Sequence, residues 1–177
     1  MGTPKALLKR DGKAFVEIVR DALFSAGIRH VAVVLGRRAE EIRNGWRPAG
    51  ENILVNPEPE RGQVSSVRTA LESAPEQALA ALLALVDQPT IRPATYKMLA
   101  DRYLAEPCGV LIPKYHGKRG HPILLNRSVW PLCFEVPDEK GLHWVTHHPS
   151  VRVLDVPVED ENILADIDTP QDLARLA

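Results

Sequence analysis

Three features of the chain predict an α/β fold in which helices cover both faces of an open, mostly parallel sheet. Short apolar runs alternate with segments of helical spacing almost throughout. The runs are apolar at consecutive positions, as in strands buried on both faces. Several runs close on Asp, Asn or Pro, the punctuation of loops at the ends of sheet strands.

In order, Ala14 to Ala26 carries apolar residues at Phe15, Ile18, Val19, Leu23 and Ala26. That is helical spacing, and Gly27 is placed to cap its end. His30 to Leu35 reads as a strand, Arg38 to Asn44 as a short helix and Asn52 to Val55 as a second strand. Ser65 to Ser73 reads as a helix opened by a serine cap. Leu82 to Val86 is a third strand, ending in Asp87-Gln88-Pro89. Pro93 to Leu104 is a helix with proline in its first turn. Gly109 to Pro113 and His121 to Leu125 read as strands, Arg127 to Phe134 and Leu142 to His147 as short helices, Val151 to Val156 as a strand and Thr169 to Leu176 as a closing helix. The irregular stretch from Tyr115 to His148 reads as an insertion covering a site. The opening residues, Met1 to Lys5, form a loop that leads straight into a helix. A first strand, with which such folds usually begin, is therefore expected to be absent.

Composition narrows the function. The 177 residues suit one domain, 1–177, with one core. A net charge of -1 gives no basic excess for a nucleic-acid partner. No apolar run is long enough to span a bilayer, and the first residues lack a signal peptide's apolar centre, so a cytoplasmic protein is expected. Two cysteines, Cys108 and Cys133, are too few for a disulfide framework and read as reduced thiols.

The chemistry-bearing residues lie at strand ends. Asp87 follows an apolar strand and so falls at the carboxyl edge of the sheet, where open α/β folds bind ligands. A carboxylate there suits Mg²⁺, which takes oxygen ligands and keeps substrate phosphates as others. Its structural alternative is a turn residue before proline. Asp166 and Asp168 alternate along an extended segment, with Asp168 just before a helix start. Asn56-Pro57, followed by Gly62-Gln63-Val64-Ser65-Ser66, offers a close backbone approach at Gly62 and a helix N-terminus at Ser65 and Ser66 for an anion or a base carbonyl. Lys5 stands in the opening loop. Lys114, Lys118, Arg119 and His121 give a loop with local positive charge. His143, His147 and His148 lack the adjacent glutamate of a zinc helix and read as surface or substrate-lining residues.

Taken in order, the segments Met1-Gly2-Thr3-Pro4-Lys5, Asn56-Pro57, Gly62 to Ser66, Asp87-Gln88-Pro89, Arg119-Gly120-His121-Pro122 and Asp166 to Leu173 resemble the MobA-like NTP-transferase family, and within it the molybdenum cofactor cytidylyltransferase branch. Each motif is weak alone; their shared order across nearly the whole chain is specific. The resemblance implies a three-layer, Rossmann-like fold of the nucleotide-diphospho-sugar transferase type, and transfer of CMP from CTP to molybdopterin with release of pyrophosphate. It implies that Lys5 and Asp87 are catalytic and that Asp87 and Asp168 hold Mg²⁺. It implies that Lys5, Asn56, Gly62, Ser65, Ser66 and Gln88 contact the nucleotide, and that Arg119 and His121 face the acceptor. A molybdoenzyme or its chaperone is a further expected partner. Guanylyl transfer, sugar-phosphate nucleotidyl transfer and a non-catalytic nucleotide-binding module are the alternatives.

The family's leading LAAGxSxR segment has no counterpart here, and Met1 falls where the family has the Met of its RMG. The expectation is a truncation, or a misplaced start, that removes about 15 residues, a strand plus a phosphate loop. The chain as it stands is then expected to be catalytically poor and to expose residues near Val33 and Leu83 at an open strand edge.

Overall fold

The computed structural model describes residues 2–137, 140–169, 172 and 174. A 3-10 turn at Lys5–Leu7 leads into a small antiparallel hairpin, β1 (Lys9–Arg10) and β2 (Lys13–Ala14). The hairpin replaces the expected direct entry into a helix. Its turn residues, Asp11 and Gly12, sit at φ 50° and 79°, and Asp-Gly is the sequence signal for such a turn. Helix α1 (Phe15–Ser25) follows, its first turn fixed by a hydrogen bond of 2.8 Å from the Ala14 amide to the Glu17 carboxylate. It stops at Gly27, where φ is 86°, as its sequence predicts.

Strand β3 (Ala32–Leu35), helix α2 (Ala39–Asn44) and strand β4 (Asn52–Val55) form the first crossover unit. The strands pair in parallel from Ala32 opposite Asn52 to Leu35 opposite Val55. Helix α3 (Gln63–Glu72) starts two residues earlier than expected, and its cap is Gly62 at φ 82°, not a serine. The Ser65 hydroxyl lies inside the first turn and donates back to the Gly62 carbonyl at 2.7 Å. Strand β5 (Ala80–Leu83) leaves Asp87 four residues past its end. Helix α4 (Pro93–Ala105) carries the anticipated proline in its first turn. Strands β6 (Val110–Tyr115), β7 (Lys118–Arg119) and β8 (Ile123–Asn126), helices α5 (Trp130–Glu135) and α6 (His143–Thr146), and strand β9 (Val153–Pro157) complete the order. The closing helix falls largely outside the described residues. Its entry shows the expected threonine cap: the Asp172 amide donates to the Thr169 hydroxyl at 3.2 Å, and the Thr169 amide to the Asp172 carboxylate at 3.0 Å.

The strands form a mixed sheet in two parts. β3 and β4 make one; the other has the order β5-β8-β6-β7, with β9 parallel to β6 on β6's free side. β8 runs antiparallel to both β5 and β6. The stretch 115–148 is therefore not a cover. It supplies a strand to the middle of the sheet, because Ile123 to Leu125 are apolar at consecutive positions and need burial on both faces.

Alternation along these strands builds the three layers. Ala81 and Leu83 of β5, Val110 and Ile112 of β6 and Leu125 of β8 pack with Val67 and Leu71 of α3, Cys133 of α5 and Val145 of α6. Their neighbours Leu82, Leu111 and Leu124 face Leu99 and Tyr103 of α4 on the other side. Val19 and Leu23 of α1 join Tyr96 of α4 in the same outer layer.

A contrast within the sheet marks a defect in burial. Val110 to Pro113 of β6 are fully buried, whereas every residue from Ala80 to Val86 is only partly so. The reason is a cleft of about 780 Å³ between β3 and β5, lined by both strands. Among the described residues no backbone hydrogen bond crosses it.

Three loops meet tightly at the carbonyl of Ile163. It accepts the His121 amide at 3.1 Å and the Gln88 side-chain amide at 3.3 Å. A Cβ placed on Gly120 would come within 2.2 Å of that oxygen. The neighbour is backbone and cannot rotate away, so Gly120→Ala is expected to destabilise the protein by about 1–3 kcal/mol. Thermal melting checks this; an unchanged midpoint would show that the loops separate at no cost.

Candidate active site

The opening loop, the exit of β5 and the segment after β9 bring Lys5, Asp87 and Asp168 together. The Lys5 ammonium donates to Asp87 Oδ2 at 2.9 Å and to Asp168 Oδ1. Two carboxylates more than 80 residues apart in sequence thus converge on one cation. Backbone fixes their approach: the Ile167 amide donates to the Asp87 carbonyl at 2.8 Å. The hydrogen bond to Asp168 is the main influence holding Lys5 above its ordinary pKa of 10.5; partial burial opposes it and Asp87 adds to the rise. A raised lysine contributes its stability fully below 10.5 and loses it only as pH climbs through the folded value, so the cluster is intact at neutral pH.

Gln88 is buried, and its side-chain amide donates to Asp166 Oδ1 at 2.9 Å as well as to Ile163. These contacts fix the side chain between the turn at Ile163 and Asp166, and its Oε1 accepts no hydrogen bond among the described residues. His121 is partly buried beside the acids. Burial pushes its imidazole below the ordinary value, against the pull of Asp166 and Asp87, which leaves the ring neutral at neutral pH.

Asn56 is also buried. Its side-chain amide donates to the hydroxyls of Ser65 at 2.7 Å and Ser66 at 3.0 Å, and its oxygen accepts the Glu58 amide at 2.9 Å. Asn56 and Ser65 form a latch that holds the loop through Gly62 against α3. Of this group, Ser66 lines the cleft between β3 and β5, as do the neighbouring Gln63 and His121. Arg119 lies apart from the acid cluster and pairs with Asp155 at 2.7 Å, which Lys114 also approaches at 3.4 Å. Burial works to raise the Asp155 pKa, but Arg119 and Lys114 outweigh it and hold the carboxyl low.

Two acids escaped the sequence reading. Asp155 lies within a strand, with no local signal for its partners. Asp160 is almost fully buried and accepts the Arg92 amide at 3.0 Å and the Thr95 hydroxyl at 2.6 Å. It ties the start of α4 to the turn that leads to Asp166 and Asp168. His143 and His147 stack face to face with ring centroids 3.7 Å apart. Among the described residues no group of three or more His, Cys, Asp or Glu is arranged to hold a metal ion.

Two carboxylates converging on a cation are a hard-oxygen donor set that fits Mg²⁺, with water and phosphate completing the shell. The Lys5 ammonium lies between Asp87 and Asp168, the two carboxylates that would hold such an ion. Lys5→Met is therefore expected to tighten binding of free Mn²⁺ or Mg²⁺ about tenfold, equivalent to about 1.4 kcal/mol, by removing the competing charge. Calorimetric titration of the ion alone measures this; unchanged or weaker affinity would show that the ammonium and the ion do not compete.

Comparison with known proteins fits this arrangement. The model of the MobA-like NTP transferase domain matches residues 1–153. Nicotine blue oxidoreductase of Paenarthrobacter nicotinovorans is 26% identical over 98% of the chain and 87% of its own length. Molybdenum cofactor cytidylyltransferase of Escherichia coli (strain K12) is 25% identical over 80% of the chain and 71% of its own. Phosphoenolpyruvate guanylyltransferase of Rubrobacter xylanophilus is 36% identical over 88% and 74%. Among solved structures, Rv0371c from Mycobacterium tuberculosis H37Rv in complex with manganese superposes with a TM-score of 0.82 at 28% identity, over 99% of the chain and 92% of that one. No helix among the described residues is long and apolar enough to cross a membrane. With the fold, the paired carboxylates and the family model in agreement, the chain belongs to the MobA-like NTP transferases and is a nucleotidyltransferase.

Proposed function

We propose that the chain is a cytoplasmic enzyme that transfers CMP from CTP to molybdopterin. The observation that carries the transferase site is the convergence of Asp87 and Asp168 on Lys5. A phosphate oxygen of the acceptor attacks the α-phosphorus; the new P–O bond forms as the bond to the β-phosphate oxygen breaks, and pyrophosphate leaves. The demand is charge neutralisation and in-line placement more than covalent chemistry. Asp87 and Asp168 would hold Mg²⁺, which would supply positive charge at the phosphates. Lys5 then gives up its carboxylate partners and turns its ammonium to the phosphate oxygens. The start of α3, held by the Asn56 latch, offers its N-terminal dipole and Ser66 to the nucleotide. His121, neutral and beside the acids, faces the acceptor, and Arg119 flanks it.

The choice of CTP rests on two supports. Asp87-Gln88-Pro89 and Gly62 to Ser66 resemble the cytidylyl branch, and one relative bears that name. Another is named for guanylyl transfer to a different acceptor, so base choice is the point to test. Calorimetric titration with Mg·CTP and Mg·GTP is expected to favour CTP at least about tenfold, the worth of one or two hydrogen bonds. Asp87→Asn is expected to abolish the magnesium dependence of that binding. A preference for GTP would reassign the base. Binding that ignores both magnesium and Asp87 would remove the site altogether.

A further inference from the structure

Helix α6 and the turn after it gather His143, Trp144, His147 and His148 around one shallow pocket, with Lys140 and Pro149 at its rim. The pocket lies away from the acid cluster. His148 and Ser150 stand just before β9 enters the sheet at Val153, whereas Asp87 lies just past the carboxyl end of β5. β8 runs antiparallel to both β5 and β6, and β9 runs parallel to β6, so β5 and β9 point the same way. The turn at His148 and the acid at Asp87 therefore occupy opposite edges of the sheet. The proposed transfer reaction uses none of these rings.

Hydrogen bonds fix which nitrogen carries the proton in two of the rings. His147 Nδ1 lies 3.0 Å from the His143 carbonyl oxygen and 3.0 Å from the Thr146 hydroxyl. That hydroxyl donates its own proton to the same carbonyl at 3.1 Å. Both neighbours can only accept, so Nδ1 carries the hydrogen and the neutral ring keeps a bare lone pair on Nε2. His148 is the reverse: its Nδ1 accepts the Ser150 amide at 3.3 Å, which puts its hydrogen on Nε2. An imidazole with Nδ1–H anchored on a backbone carbonyl and Nε2 bare is the usual arrangement of a metal-ligating histidine. His143 offers a second imidazole one helical turn earlier. It is exposed, and no hydrogen bond holds its ring among the described residues.

We infer that His143 and His147 form a site for one divalent transition ion of the class of Zn²⁺, Ni²⁺ or Cu²⁺, with water in the remaining positions. Cβ atoms four residues apart on a helix are about 5–6 Å from each other, within reach of one ion bound to two nitrogens at about 2.0–2.1 Å. The two rings stack with centroids 3.7 Å apart. Sharing an ion requires their lone pairs to converge, so the unanchored His143 ring swings out of the stack while His147 stays in place. Imidazole favours these ions over Mg²⁺, which takes oxygen ligands, so the site differs in chemistry as well as in place from Asp87 and Asp168. Two protein ligands are consistent with there being, among the described residues, no group of three. Lys140 is the adverse charge at the rim, and it is exposed, where solvent screens it. This inference stands or falls apart from the nucleotide reading.

The test is calorimetric titration of the chain with Ni²⁺ alone, without nucleotide. Ni²⁺ is expected to bind, and His143→Gln and His147→Gln are each expected to weaken that binding at least about tenfold. His148→Gln is expected to leave the affinity within about twofold, because its outward nitrogen carries a hydrogen and not a lone pair. Excess Mg²⁺ is expected to leave the Ni²⁺ in place. Thermal melting gives a second readout: saturating Ni²⁺ raises the midpoint of the unaltered chain and not that of either ligand variant, whose midpoints without the ion match that of the chain. Failure of Ni²⁺ to bind overturns the inference, as does binding that either ligand variant leaves unchanged. Loss in His148→Gln equal to that in His147→Gln overturns the ligand pair, and displacement by Mg²⁺ shows that the ion sits on the carboxylates instead.

Discussion

The carbonyl oxygen of Ile163 anchors the functional face. It receives the backbone of one loop at His121 and the side chain of another at Gln88, and it presses against the Cα of Gly120 closely enough to forbid a methyl group there. Two acids of the candidate site are placed at or next to this point. Asp166 is held by the same Gln88 amide group, and Asp87 is held through the next turn, at Ile167. Backbone constraints of this kind position catalytic groups more firmly than side-chain contacts do, because they leave no rotamer to choose.

The electrostatics follow from that placement. Two carboxylates fixed near each other repel, and a partly exposed lysine resolves the repulsion without locking the site. The lysine is flexible and strongly hydrated, so it pairs with both acids without being rigidly fixed. The neutral His121 beside the acids adds hydrogen-bonding capacity without adding charge. The cationic side chains toward β7 are balanced differently: Arg119 and Lys114 share Asp155, so that patch offers an anion less net charge than the sequence suggests.

Much of this was legible in the sequence, for stated reasons. Consecutive apolar residues located β3 to β6, and the end of an apolar run located Asp87, because the carboxyl edge of a sheet is a property of chain direction. What could not be read was lateral. Whether Asn56 faces solvent or spans to Ser65 and Ser66 depends on how a loop folds back, and a buried amide looks the same in sequence as an exposed one. The burial of Gln88 was hidden for the same reason. Asp160 was missed because its partners, Arg92 and Thr95, lie some 65 residues away. The hairpin at Asp11-Gly12 was legible and was passed over, since its strands have only two residues each.

The position of β8 has a consequence for the time order of folding. β5 ends at Leu83, and its one sheet partner among the described residues, β8, begins at Ile123. On a ribosome adding about 5–20 residues per second, some 40 residues separate the two, a delay of roughly 2–8 seconds. Throughout that interval an apolar strand, Ala80 to Leu83, has been made without its partner β8. Helices α3 and α4 flank it in sequence and form locally, so they can shelter its apolar side chains but cannot satisfy its backbone. The nascent chain is thus most prone to pair with a stranger midway through its synthesis, well before the functional face exists.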